Sequence, residues 1–407
     1  LWNYERVKNK KNVENKAYIL AATRTGTGGF MGSLSSLSAP QLAAEVIKSA
    51  LTKAGIEPAN VNEVILGNVL SANIGQAPAR QAARAAGIPD EVDATTINKI
   101  CSSGIKSVSY AVQSVLLGTS DVVVAGGMES MSNAPYYIEN HREGHKTGHQ
   151  NIIDGMLKDG LWDPYHDFHM GSAAELANTK YGISREEQDE YTLRSFAKAK
   201  SAHLSGSFKD EITPLTIRTK KGEFIYDSDE DIEKLNPEKV SQLKPIFETD
   251  GSITAANASN LNDGAAILII VSGKFLEAHN LKPLARIVAF SDAAQSPEWF
   301  TTSPSIAIEK TLQKAGIGID EIDYFEMNEA YANVPIINAR LAGVDPEKVN
   351  IKGGAVAMGH PLGASGARIL VTLTHILQQQ NAKYGMAAIC NGGGGATAML
   401  IENIQTR

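Results

Sequence analysis

The sequence predicts an α/β protein built from two similar halves, each a sheet covered by helices, with a further block inserted into the first half. Three observations carry this. Apolar, β-rich runs alternate with amphipathic helical ones ("AYILAAT", "APQLAAEVIKSALTKAG", "EVILGNV", "SSGIKSVSYAVQSVLLG", "DVVVAGG"), the pattern of helices lying on both faces of a sheet. The pattern recurs at a nearly fixed distance along the chain. The composition, 43% hydrophobic and 20% charged over 407 residues, suits an ordered globular chain with room for about two to three domains.

Taken in order, the opening "LWNYERVKNKKNVENK" is polar and basic with no apolar signal core, and reads as a processed terminus or a cloning remnant. After the first strand, a helix runs to a glycine stop at Gly55 and a strand follows; "LTKAGIEPANVNEVILGNV" from 51 then resembles "LQKAGIGIDEIDYFEMNEA" from 312, Gly55 matching Gly316 at an offset of 261. Next, "DVVVAGG" from Asp121 matches "GMAAICNGG" from Gly385 at an offset of 264. The closing strand of the second half, from Gly395, finds its counterpart only at Gly264, an offset of 131. The difference, about 133 residues, is an insertion lying roughly between 128 and 261. The expected units are residues 16–133 plus 253–286 for the first half, 134–252 for the inserted loop domain, and 287–407 for the second half.

Composition excludes several functions. No apolar run reaches the roughly 18 residues of a membrane span. A net charge of -7 argues against general nucleic-acid binding, so an anionic ligand must meet a local basic site. Cys101 and Cys390 are the two cysteines, and a chain this large needs no disulfide staple; free thiols are the better reading. His141, His145 and His149 recur every four residues, but Gly144 and Gly148 oppose the helix a metal site would need, which favours a solvated or subunit-contact loop.

Four residues carry chemistry. Cys101 precedes Ser102, Ser103 and Gly104 where a strand hands over to a helix marked by Ile105, Val108, Val112, Val115 and Leu116. Unpaired N–H groups and the helix dipole are expected to favour a thiolate there; an inert buried cysteine is the bland alternative. Cys390 ends the strand "GMAAIC" and enters "NGGGGA", at the strand's carboxyl end, where α/β sites form and glycines leave N–H groups available. His360, between Gly359 and Pro361, occupies a turn before a helix and suits a base. Asn328 in "EMNEAY" ends a strand, where its amide either holds a water, donates to an oxyanion, or caps the next helix. Two thiols, an imidazole and an amide at converging strand ends suggest nucleophilic acyl transfer with a second proton transfer.

The motifs "NKICSSG", "GGMESMSNAP", "TAANASNLNDGAA", "NEAY", "GGAVAMGHPLGASGAR" and "CNGGGGA", in this order from about Ala17 to Ile404, resemble the thiolase superfamily, most closely its acetyl-CoA acetyltransferases. The resemblance implies the thiolase fold, two βαβαβαββ-type halves in a layered α/β/α/β/α core. It implies Cys101 as acyl acceptor, His360 as its activator, Cys390 as acid/base, Asn328 acting through a water on the enolate oxygen, and the N–H groups of Cys101 and Gly392 as a second oxyanion hole. The substrates implied are acetyl-CoA, acetoacetyl-CoA and CoA, with no organic cofactor. A broader-range 3-ketoacyl-CoA thiolase is the nearest rival. A decarboxylating ketoacyl synthase would need His or Asn at position 390, an inactive scaffold should have lost a reactive residue, and a cysteine hydrolase would not need the second thiol.

For CoA, the resemblance points to Ser259, His169, Met170, Ala255 and Tyr191, and to a nucleotide loop of Lys234, Leu235, Asn236 and Lys239. The relative compared has Arg and Asp at 234 and 236, and Lys keeps the charge but not the planar stacking. It also implies a potassium site of the mitochondrial type, formed by Tyr191, Ala255, Ala256, Ala258 and Val356, because carbonyls suit such a cation. That site favours the mitochondrial matrix over the cytosol. A homodimer or, for this branch, a homotetramer built through the region near 133–150 is expected. Two departures bear on substrate range: Tyr331 stands where Phe is usual, and Phe300-Thr301 where branched-substrate enzymes have Phe-Pro.

Overall fold

The computed structural model describes residues 16–220 and 222–405; the basic opening lies outside them. The first half supplies β1 (Ala17–Arg24), α1 (Ala39–Ala54), β2 (Glu63–Gly67), α2 (Pro78–Ala85), β3 (Asp93–Ile97), α3 (Ser103–Leu117) and β4 (Val122–Ser130). The chain then leaves the main sheet. Residues 131–261 hold α4 (Met170–Tyr181), α5 (Arg185–Leu204), a hairpin (Leu215–Thr219 with Gly222–Tyr226) and short turns, before β5 (Asn262–Ser272) returns to the sheet. The second half adds β6 (Ala285–Ala294), α6 (Ser303–Ala315), β7 (Tyr324–Met327), α7 (Asn333–Ala342), α8 (Leu362–Gln379), β8 (Tyr384–Asn391) and β9 (Gly395–Asn403).

The strand order is β3-β2-β4-β5-β1 in one half and β6-β9-β8-β7 in the other. Corresponding elements occupy corresponding places, and Val349 bridging in parallel to Phe325 stands where β3 would. Gly55 and Gly316 both end their helices left-handed, at φ 65° and 67°, as an abrupt stop requires. An apolar cluster on α1 and α2 covers the outer face of the first sheet, a second between the sheets unites α3 and α8, and a third beneath α6 and α7 covers the outer face of the second sheet. These are the five layers of a thiolase-type α/β/α/β/α core. The two sheets are also joined edge to edge, Tyr18 to Arg286 and Ile19 to Ala285, a connection the hydrophobic pattern does not announce.

One detail of the repeat needs correction. Glu63 pairs with Val123 as Tyr324 pairs with Gly385, so Val123, not Asp121, corresponds to Gly385. Side chains at the strand starts set this register: Asn62 accepts the N–H groups of Asp121 and Val122, and Asp323 those of Lys383 and Tyr384, all within 2.7–2.9 Å.

His141 begins an exposed single turn, and among the described residues no group of three His, Cys, Asp or Glu side chains is arranged for a metal. No described helix is long and apolar enough to cross a membrane.

Candidate active site

Two helix starts define the site. A Cβ on Gly104 would lie 2.7 Å from the Ala367 nitrogen, and one on Gly366 would lie 2.6 Å from that of Ile105. Only glycine permits so close a crossing, and it brings the first turns of α3 and α8 together. Ahead of α3, Ile100 is left-handed at φ 47°, a costly conformation for a β-branched residue. Local bonds hold it: Ile100 N–H donates to Asn98 Oδ1 (2.9 Å), Ser103 Oγ donates to the Ile100 carbonyl (2.6 Å), and Lys99 N–H donates to Ser103 Oγ (2.8 Å). Cys101 therefore sits at the apex of a tight strand-to-helix turn.

Cys101, His360 and Gly392 line one cavity of about 300 Å³, with Ser259, Tyr331 and mostly apolar walls such as Met131, Leu161 and Phe300. Cys390 lies fully buried in the apolar cluster that also contains Tyr331, Phe300 and Met170. Burial pushes the Cys101 thiol up to about 12; the N–H groups of Gly392 and of Cys101 itself offset this in part, and the charge of Glu129 adds to it. Desolvation thus opposes the thiolate that the helix dipole is expected to favour. The Cys390 thiol is raised as well, by burial and then by Cys101. His360 is lowered to about 3 by burial and by the Arg368 guanidinium. These shifts all favour the uncharged forms of the imidazole and the two thiols. The arrangement therefore favours proton transfer coupled to attack over a standing thiolate.

The sequence reading missed the residue that orients the base. His360 Nδ1 lies 2.6 Å from Ser365 Oγ, and Ser365 Oγ lies 2.8 Å from the Pro361 carbonyl. Since the carbonyl can only accept, the serine proton goes there, and Oγ accepts from Nδ1–H; the tautomer so assigned leaves Nε2 as the free base. Among the described residues, Nε2 is buried without a partner, and so are both amide atoms of Asn328. Asn262 Oδ1 accepts the His360 N–H at 2.9 Å. The only signal for Ser365 was its place one turn into the helix after "GHP".

The expected binding residues divide. His169, Met170, Ala255 and Ser259 line the cavity; His169 stacks on Phe247 at 4.5 Å and accepts the Gly171 N–H. Tyr191, Lys234, Leu235, Asn236 and Lys239 do not. Lys234 pairs with Asp231 at 2.7 Å, Asn236 accepts the Glu238 N–H, Lys239 is exposed, and Leu235 packs against the same apolar cluster as Tyr191.

The residues expected for potassium lie on α5, on the turn at 255–258 and in the short helix Ala355–Met358. Tyr191 donates to Glu329 at 2.8 Å and packs in the cluster containing Val356; the turn holding Ala255, Ala256 and Ala258 is tied to α5 by Asn257 Nδ2 donating to Asp189 at 3.1 Å. The carbonyls of Ala255, Ala256 and Ala258 accept no hydrogen bond among the described residues, so these three donors fit a cation of that kind.

Comparison with known proteins agrees with this architecture. Two family models match, Thiolase, N-terminal domain, over residues 17–274 and Thiolase, C-terminal domain, over residues 281–403. The chain is 52% identical to acetyl-CoA acetyltransferase 2 of Arabidopsis thaliana over 387 residues, covering 94% of this chain and 96% of the relative. It is 48% identical to a cytosolic acetyl-CoA acetyltransferase of Gibberella zeae, covering 95% and 98%. Among solved structures, the acetyl-CoA acetyltransferase of Bacillus anthracis superposes with a TM-score of 0.94 at 41% identity, covering 97% of this chain and all of that one. The Acat5 thiolase from Ascaris suum in complex with coenzyme A gives 0.91 at 40%, covering 96% and 100%.

Proposed function

We infer that this chain, which belongs to the thiolase family, is an acetyl-CoA C-acetyltransferase, joining two acetyl-CoA into acetoacetyl-CoA and CoA and running the reverse cleavage. The observation that carries the mechanism is one small apolar cavity lined by a thiol and by an imidazole whose Nε2 is free. In the cleavage direction, Cys101 Sγ attacks the ketone carbon of acetoacetyl-CoA as its proton passes to His360 Nε2. The N–H groups of Cys101 and Gly392 hold the oxyanion. The carbon–carbon bond then breaks, and the acetyl-CoA enolate takes a proton from Cys390 while Asn328, through a water, holds its oxygen. CoA enters and gives its thiol proton to the Cys390 thiolate. Its sulfur takes the acetyl group, and Cys101 leaves with the proton from His360. Incubation with acetoacetyl-CoA and CoA, following acetyl-CoA by mass spectrometry, tests this; activity persisting in Cys101→Ala would overturn it.

The cavity volume is at the low end for ligand pockets and favours short acyl groups over a broad chain-length range. A potassium ion held by Tyr191 and the carbonyls of Ala255, Ala256, Ala258 and Val356 would order the turn behind Ala255 and Ser259; equal activity in matched sodium and potassium buffers refutes it. The exposed Tyr136, Ile138 and Ile152 support assembly into a tetramer through that region, which sedimentation of a stable monomer or dimer refutes. The tyrosine-linked potassium set supports a matrix location, whereas the cytosolic Gibberella zeae relative favours the other compartment; recovery with cytosolic markers on fractionation overturns the matrix assignment.

A further inference from the structure

Glu129 and Asn391 occupy the same place in the two halves. Glu129 pairs across its sheet with Gly264, and Asn391 with Gly395, glycines near the start of the matching closing strands. Each side chain reaches over to the central helix of the opposite half. Glu129, fully buried, accepts from the Gly363 N–H in the first turn of α8 (2.8 Å), from the N–H groups of Val69 and Leu70 (3.0 and 3.1 Å) and from Asn68 Nδ2 (2.7 Å). Asn391 Oδ1 accepts from Ser102 Oγ (2.9 Å), the residue after Cys101 at the start of α3, while its Nδ2 donates to the Gly392 carbonyl (2.8 Å).

We propose that Glu129 and Asn391 form a crossed latch of two positioning residues, in which each half fixes the other's catalytic helix start. Their chemical difference is functional: an acid serves the His360 helix and a neutral amide the Cys101 helix. The first turn of α8 presents N–H groups and a positive dipole end that Glu129 satisfies as a carboxylate above about pH 7. At α3 the same dipole end must serve the Cys101 sulfur and the developing oxyanion, and a carboxylate there would cancel it and repel both. Already from its place behind Val69, Glu129 opposes ionisation of Cys101. Asn391 also holds the Gly392 carbonyl, and so the peptide run whose N–H reaches Cys101.

The proposal rests on Cys101 being the nucleophile, and its test reads Cys101 independently of the substrate. Iodoacetamide labelling of Cys101, quantified on the tryptic peptide, is compared with steady-state thiolysis, both at about pH 8, where Glu129 is ionised. Asn391→Asp is expected to slow both labelling and kcat by at least ~10-fold, one pKa unit being a factor of ten. Glu129→Gln is expected to label no more slowly than wild type while kcat falls at least ~10-fold with KM for CoA within ~3-fold, because the latch is loosened and a charge removed. Ser102→Ala, which adds no charge, should lower kcat with labelling within ~3-fold, and serves if Asn391→Asp does not fold. Folded Asn391→Asp labelling at the wild-type rate, Glu129→Gln slowing labelling as much as thiolysis, or Ser102→Ala unchanged in both would each overturn the latch. Failure of wild type to cleave acetoacetyl-CoA would count against the substrate assignment alone.

Discussion

Ser365→Ala tests how the base is prepared. In the wild type, Nδ1–H of His360 donates to Ser365 Oγ at 2.6 Å, so the imidazole is held with Nε2 unprotonated. Removing the hydroxyl leaves a buried N–H without an acceptor, a cost of about 1–3 kcal/mol. The ring escapes that cost by moving its proton to Nε2, which disables it as a base. At about 1.4 kcal/mol per tenfold, the same range corresponds to a kcat loss of roughly 5- to 150-fold. KM for CoA should change little, since Ser365 lies beneath the histidine and does not line the cavity. Ser365→Thr, which keeps the hydroxyl, should recover most of the rate. The assay is initial-rate thiolysis of acetoacetyl-CoA across CoA concentrations, with circular dichroism to verify folding. A kcat for Ser365→Ala within twofold of wild type would refute the assigned tautomer.

Three further outcomes follow from other parts of the molecule. Arg24, fully buried, binds Glu211 (2.7 Å) and both oxygens of Asp229 (2.6 and 3.0 Å), so Arg24→Met should cost about 3–5 kcal/mol in urea unfolding by stranding two carboxylates, and a loss below about 1 would refute it. Burial holds the Glu129 carboxyl up at about 7, more than its backbone N–H donors pull it down. The folded chain therefore keeps a proton the unfolded chain releases, and the stability from that proton, full below about 4.5, is lost as pH rises through 7. Wild-type stability should fall relative to Glu129→Gln between pH 5 and 7.5, and parallel curves would refute this. Tyr331 lines the cavity with a hydroxyl that makes no hydrogen bond among the described residues; Tyr331→Phe should raise the ratio of 2-methylacetoacetyl-CoA to acetoacetyl-CoA cleavage by about 10-fold, and an unchanged ratio would show the hydroxyl is no wall.

Much of the architecture was legible because local chemistry dictates it. Gly55 and Gly316 are positions only a left-handed residue fills cheaply, so their match disclosed the duplication. "ICSSG" announced a strand-to-helix turn, and His360 announced another. What escaped were effects of long-range packing. The helix dipole at Cys101 is a sequence-local feature, but its competitor is the apolar wall from Met131, Leu161 and Phe300, which the turn does not encode. The edge-to-edge joining of the sheets at Tyr18 and Ile19 involves two residue pairs in strands whose apolar pattern is fully explained by helices above and below.

The crossed latch escaped for a more specific reason. The runs "VVVAGG" and "MAAIC" are small and apolar, so sliding one past the other changes little in their pattern, and an offset of 264 looks as good as any near it. At that offset Glu129 falls opposite Gly393, and no comparison of side chains arises. Fixing the register takes the strand starts, where Asn62 and Asp323 each gather two successive N–H groups. Those set Val123 opposite Gly385, and six residues further on an acid stands opposite an amide. In a duplicated fold the two copies begin with equal helix starts, and chemistry needs them unequal, one presenting a nucleophile and the other a base. A difference of one side chain at equivalent strand ends, carboxylate behind the base and amide behind the thiol, breaks that symmetry where the helices meet.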